Sequence, residues 1–413
     1  MWSGTVSAQE ADRSAEPISP APPSRAGEIE AQREEKAGEL KPETPLKGEH
    51  VINKVLSNPI VKALRAQQDL DIRLGGLVTG SGIAAGPEYV RRDLAQDTIL
   101  FHAWASASVR KFWLTKAELE MPKLAHNWLF ADLSATHRDY PEIDYFGPGP
   151  HAQNLETSWA LQDSWLTGMA GVQPLRHLRV GGIGRYLAEV IGPGHDSSNP
   201  TTQEVFTPET APGLRGGADF VQAGSFLQLD YRDHPGEAHS GGVYWLDFSD
   251  YSDLKFGRYS FDRVDAEAQQ YIPLLSGTHV IALRGRTTFT DAHSGNSVPF
   301  YLQPTLGGPD TLRGFDAFRF YDNNAVILNG EYRWQLYEGL DGALFMDAGK
   351  VFPRWQQISL HDLDKSYGFG LRFLSGGDTA VRLDVGFSRE GFQIWFKFGN
   401  VFGNGLRNFD NFY

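Results

Sequence analysis

The sequence has no cysteine, only four methionines, no apolar run near the length of a spanning helix, and no basic cluster. Without cysteine there is no disulfide framework and no thiolate zinc site. A membrane-spanning helix needs about 18–20 consecutive apolar residues, so helical transmembrane architecture is excluded. A transmembrane β-barrel is not, because its lipid face is hidden in alternation. A net charge of −13 without a Lys/Arg-rich stretch offers nucleic acid no electrostatic footprint. G-x-S-x-G, H-E-x-x-H and Walker loops are all missing. Gly80-Ser81-Gly82 lacks the strand–turn–helix context of a nucleophile elbow, and the histidines lie scattered without ligand spacing. The expectation is therefore no enzyme, no metal and no cofactor.

What is present is 45 glycines and 12% aromatics, a composition that suits many turns and many aromatic-bearing strands. Residues 1–48 are rich in Glu, Ala, Pro, Ser and Lys and nearly free of aromatics, so they read as a disordered leader. Val6-Ser7-Ala8 before Gln9 resembles the small-residue end of a secretory signal, which leaves a signal remnant and a plain disordered start both open. Residues 49–69 carry Val51, Ile52, Val55, Ile60, Val61 and Leu64, interrupted by Pro59. That pattern predicts a short helical segment, which could also serve as a plug inside a pore.

From residue 70 to 413 the period is two. In GFQIWFKF, Phe392, Ile394, Phe396 and Phe398 oppose Gln393, Trp395 and Lys397. In AVRLDVGF, Val381, Leu383, Val385 and Phe387 oppose Arg382, Asp384 and Gly386. Tyr367, Phe369, Leu371 and Phe373 oppose Gly368, Gly370 and Arg372, and Leu328, Tyr332, Trp334 and Leu336 oppose Asn329, Glu331, Arg333 and Gln335. Alternation places each set on its own face of a sheet. In a two-sheet sandwich the apolar face would point inward. Charge recurring on the other face, with aromatics near strand ends, favours the reverse: an apolar face on lipid and a polar lumen. Sixteen candidate strands, from 83–91 to 391–400 and including 297–305, predict an all-β, 16-stranded antiparallel transmembrane β-barrel. Short connections such as 172–175 and 338–340 alternate with long ones such as 192–216 and 306–322, as two unlike rims would require.

One long loop stands apart. Gly307–Phe318 reads GGPDTLRGFDAF, and a turn explains its glycines and proline but not Leu312-Arg313-Gly314-Phe315. With Phe345-Met346-Asp347-Ala348-Gly349 on a following strand, this loop resembles the Val/Ile-Arg-Gly-Phe/Tyr loop and Phe-x-Asp-x-Gly strand of the BamA/TamA outer-membrane assembly and translocation superfamily, the bacterial surface antigens. Leu312 stands where that family carries Val or Ile. The resemblance implies a loop folded into the lumen, with Arg313 reaching Asp347 first and Glu331 second. A buried guanidinium needs such a carboxylate to offset its desolvation, and Gly314 would let the backbone pass close to the wall.

Two further stretches carry the resemblance. Asp230-Tyr231-Arg232-Asp233-His234-Pro235, followed by Ser240-Gly241-Gly242, is similar to the family's mid-barrel turn, with His234 in place of Asn. Gly391, Ile394, Phe396 and Phe398 resemble its C-terminal strand signal, although the chain continues to Tyr413. The tail then either extends the closing strand or folds along a rim or into the lumen.

The family function implied is outer-membrane protein assembly or polypeptide translocation in the bacterial outer membrane. The partners would be outer-membrane lipid and client outer-membrane proteins or periplasmic factors, with no nucleic acid. Residues 1–69 lack the alternating pattern of a POTRA domain, so a barrel-only member is expected. The alternative is a passive pore for small solutes, its lumen charged by Arg284, Arg286, Arg333, Arg372 and Lys397 against Glu331, Asp347 and Asp384.

Overall fold

A computed structural model of the chain describes residues 69–152, 155–376 and 378–403. The expected leader, the helical segment as far as residue 68 and the tail beyond residue 403 lie outside the described residues. The described residues hold eighteen strands: β1 (Leu70–Gly75), β2 (Ala84–Leu94), β3 (Ile99–Ser108), β4 (Trp113–Leu124), β5 (Leu129–Tyr145), β6 (Thr157–Leu175), β7 (Leu178–Pro193), β8 (Asp219–Asp230) and β9 (Gly241–Asp253) in the first part. Then come β10 (Phe261–Leu274), β11 (His279–Ala292), β12 (Thr305–Leu306), β13 (Phe320–Tyr321), β14 (Asn324–Tyr337), β15 (Leu340–Phe352), β16 (Asp364–Ser375), β17 (Asp378–Ser388) and β18 (Gly391–Phe398).

Sixteen of these form one sheet in chain order, every neighbouring pair antiparallel; β12 and β13 pair only with each other. The expected number of barrel strands is met, but through two errors that cancel. Leu70–Gly75 is a barrel strand outside the candidate spans, short and one-third charged. The candidate at 297–305 is not a barrel strand. Phe300, Tyr301 and Leu302 form a 3-10 turn flanked by Pro299 and Pro304, and all three side chains are buried. Coiled into that turn, the three residues join none of the ladders that a wall strand must form with its neighbours. The Gly307–Phe318 loop still falls between the eleventh and twelfth barrel strands, β11 and β14.

The outward face follows the alternation. Leu246, Phe248, Leu283, Leu344, Met346, Phe369, Ile394 and Phe396 are all exposed, an apolar surface too extensive for water and suited to lipid. Trp128, Tyr231 and Tyr337 lie exposed near the rim of short turns, where an interfacial aromatic belt belongs. Inward-facing residues are polar along β14–β18, where Asn329, Glu331, Arg333, Asp347, Ser366, Arg372, Arg382 and Asp384 are buried.

The lumen is not uniformly polar, which the alternation did not anticipate. At the long-loop end an aromatic cluster fills it: Tyr145, Trp159, Phe220, Tyr251 and Phe261 from strand ends meet Phe300, Tyr301 and Tyr321 from the β11–β14 connection. Ring centroids lie 4.8 Å apart for Trp159–Phe300 and for Tyr145–Tyr321, both edge-to-face. At the other end, the turn joining β8 to β9 and the segment after β18 bend inward. Ala238, Val401 and Phe402 are buried there with Tyr271, Val280 and Ala282.

Candidate functional site: a buried arginine in the lumen

Gly307–Phe318 leaves β12, enters the lumen and returns through β13. Gly307 and Gly308 adopt φ of +109° and +94°, a left-handed turn that other residues rarely enter. Thr311 closes the turn: its Oγ1 accepts from Gly307 N and donates to Gly307 O. Leu312 and Phe315 pack with Leu306, Phe320, Ala325, Ile327 and Val351, an apolar patch that anchors the loop to β14 and β15.

Arg313 projects between those anchors and is fully buried. Its Nε donates to Asp347 Oδ2 at 2.9 Å and its Nη2 to Asp347 Oδ1 at 2.6 Å. Its Nη1 donates to Glu331, and its backbone N–H donates to Asp347 Oδ2 at 3.1 Å. The guanidinium lies over the Phe345 ring, 3.5 Å from the centroid. Burial by itself disfavours the charge; Asp347 and then Glu331 outweigh it and raise the guanidinium pKa above its ordinary value. The bidentate carboxylate and the ring face together use the planar fork in a way lysine cannot.

The carboxylates are themselves held. Asp347 accepts from Asn329 Nδ2 at 2.8 Å and from Ser366 Oγ at 3.0 Å. Glu331 accepts from Arg333 Nε at 2.7 Å and Arg372 Nη2 at 3.0 Å. Arg372 continues to Asp384 at 2.7 Å, and Arg382 joins Asp384 to Pro309 O and Asp310 of the loop. Arg333 also donates to Glu237 at 2.8 Å, from the β8–β9 turn, and Glu237 accepts from Thr379 as well. The network thus runs from the loop through four strands to the opposite rim.

Two glycines make the close approach possible. A Cβ on Gly314 would meet the Phe387 carbonyl at 2.6 Å, and one on Gly386 would meet Arg313 O at 2.3 Å. Against β17 and β18 the loop is tied by polar contacts. Ser388 Oγ donates to Gly314 O at 2.6 Å. Every inward side chain of β18 from Gln393 to Lys397 also reaches the loop: Gln393 Nε2 donates to Asp316 at 2.6 Å, Trp395 Nε1 to Arg313 O at 2.8 Å, and Lys397 Nζ lies 3.5 Å from Asp310.

The structure thus brings Arg313, Asp347 and Glu331 together, with Gly314 against β17 and with Leu312 and Phe315 as apolar anchors. Gly391, Ile394, Phe396 and Phe398 lie apart on β18, with Ile394 and Phe396 facing outward. Sequence reasoning missed Asp310, Phe345, Trp395 and Glu237 as participants. Trp395 and Phe345 occupy inward positions of alternating strands, which was the available signal. Glu237 had none, because it sits in a turn far from its partners in sequence. The segment after β18 enters the lumen: Gln269 Nε2 donates to Phe402 O at 2.5 Å and Arg232 Nη1 to Gly403 O at 3.5 Å.

An apolar outer wall, a charged lumen and a loop folded into it define an outer-membrane β-barrel. Residues 222–402 match the Omp85 superfamily domain, and the place of this barrel is the outer membrane. Among solved structures it is similar to BamA from Haemophilus ducreyi lacking POTRA domains 1–3, with a TM-score of 0.58 at 16% identity, over 80% of this chain and 70% of that one. CdiB from Escherichia coli is similar with a TM-score of 0.52 at 12% identity, over 80% of this chain. The match spans 62% of that CdiB, less than two thirds of its length. At these identities the likeness is one of fold. No curated protein matches the chain.

Proposed function

We propose that this barrel acts in outer-membrane protein assembly or polypeptide translocation, with Arg313 as the latch that holds its lumenal loop. The observation that carries the reading is the full burial of Arg313 on Asp347 and Glu331. A loop fixed so firmly inside a lumen suits a barrel that controls passage better than one left open to solutes. A second feature supports it. β1 pairs only with β2 and β18 only with β17, so among the described residues no ladder joins the first strand to the last. An unpaired strand edge is a template for strand addition. The loop braces β18 from inside through Gln393, Trp395 and Lys397, so a rearrangement of the latch would be felt at that edge. In this reading the barrel is not an enzyme, and its partners are client polypeptides and the lipid around it.

Conductance across planar bilayers tests the latch. The unaltered protein should give a small conductance that grows on Arg313→Ala. A large, steady conductance in the unaltered protein would overturn the reading in favour of a passive pore for small solutes. The client side is tested by reconstitution. Liposomes holding the barrel should fold an added denatured outer-membrane protein faster than empty ones, and equal rates would argue against an assembly role.

A further inference from the structure

A polar cavity of ≈ 300 Å³ lies inside the barrel between the inserted loop and the segment that follows β18. Its volume is at the small end of the range for ligand sites. Pro309 and Asp310 form one side, Asn400 and Gly403 another, and Arg263, Arg284, Arg286 and Lys397 bring four cations to its wall.

Three of those cations are engaged. Arg263 donates to Asp265 at 2.5 and 3.3 Å. Arg284 donates to Glu267 at 2.9 and 3.2 Å and to Asp310 O at 3.0 Å. Lys397 shares Asp310 with Arg382 and lies 3.3 Å from Thr79 Oγ1. Arg286 differs. Its carboxylate contacts, Asp265 at 3.8 Å and Glu267 at 3.9 Å, are beyond hydrogen-bonding distance. Both carboxylates are already taken: Asp265 also accepts from Thr288, and Glu267 from Gln269. Among the described residues the Arg286 guanidinium makes no hydrogen bond. A ring face 5.9 Å away, that of Trp245, is its other neighbour.

The Arg286 side chain is only partly buried, and a half-shielded guanidinium whose donors no protein group uses favours an acceptor that can reach it. Here the donors line a cavity where cations outnumber carboxylates. The geometry points to a binding site for a small oxyanion of the phosphate class, gripped by Arg286 and flanked by Arg284 and Lys397. A tetrahedral oxyanion offers the paired oxygens that match the guanidinium fork. Chloride offers charge without that pairing. The occupant would touch both the inserted loop and the segment after β18, bridging the two pieces of chain that fill the lumen.

The test uses the full chain in detergent micelles, titrated with inorganic phosphate against sodium chloride at matched ionic strength, read by calorimetry and by thermal unfolding. The unaltered protein should bind phosphate saturably, with a rise in unfolding temperature that chloride does not reproduce. R286Q should lose the saturable component, while the exposed control R91Q keeps it. R286K, which retains the charge without the fork, should bind at least tenfold more weakly and carries the test if R286Q does not fold. Absence of saturable binding in the unaltered protein, or affinity unchanged in R286Q or R286K, overturns the site.

Discussion

The lumen is filled twice by the same connection between β11 and β14, and the two fillings work differently. Near the long-loop end, Phe300 packs edge-to-face against Tyr145, Trp159 and Tyr301, and Tyr321 against Tyr145. Deeper in, Arg313 is held by charge on Asp347 and Glu331. The aromatic region is stabilised by shape and apolar burial, which tolerates imperfect partners and loses stability roughly in proportion to what is removed. The ionic region is an all-or-none arrangement: removing one partner leaves others charged and buried. A segment meant to stay put is served by the first kind of contact. One that must be held and then let go in a single step is served by the second.

The comparison is broken most directly at Arg313. Arg313→Ala leaves Asp347 and Glu331 facing each other's field with one cation fewer. The expected loss is about 3–5 kcal/mol of unfolding free energy, measured by urea titration of the folded barrel in micelles. Arg313→Lys should recover little of it, because a single ammonium cannot engage two carboxylates and a ring face together. A double-mutant cycle with Asp347→Asn should show a coupling of about 1 kcal/mol or more; additivity within about 0.5 kcal/mol would show that the two regions do not differ in kind.

Gly314→Ala probes the backbone approach without touching charge. The added Cβ at 2.6 Å from the Phe387 carbonyl must push the loop away from β17, at about 1–3 kcal/mol. The same variant should raise bilayer conductance if the approach holds the loop in place; unchanged stability and conductance together would show that the wall yields freely. The smallest effect is expected in the aromatic region. Tyr301 Oη accepts from Ala218 N at 3.0 Å, and Tyr301→Phe should cost about 1 kcal/mol while leaving conductance unchanged. A loss as large as that of Arg313→Ala would reverse the comparison.

Much of the wall was legible in the sequence. In β16, β17 and β18, alternation assigns an apolar face and a charged face, and the structure turns Phe369, Ile394 and Phe396 outward while burying Arg372, Arg382 and Asp384. Arg313, Asp347 and Glu331 were legible because a short motif and its partner strand lie close in sequence, and alternation gave Glu331 its direction. Where local pattern and burial diverged, the reading failed. SVPFYLQPT has the apolar content of a strand, yet its consecutive aromatics are buried on all sides inside the lumen. LDIRLG has the alternation but is brief, and its place in the sheet depends on a neighbour, β2, that carries Pro87.

Period two, glycine-rich turns and the absence of long apolar runs are properties of adjacent residues, and they determined a barrel wall with an apolar outside and a loop bearing one unexplained arginine. Contacts across the lumen obey no such local rule. Glu237 meets Arg333 across 96 positions and Thr379 across 142, and Phe402 reaches Gln269 across 133. Those meetings depend on how the sheet curves, on the register of each strand pair, and on which loops turn inward. Only the tertiary structure decides them, because curvature and register accumulate over the whole sheet while sequence pattern constrains one strand at a time.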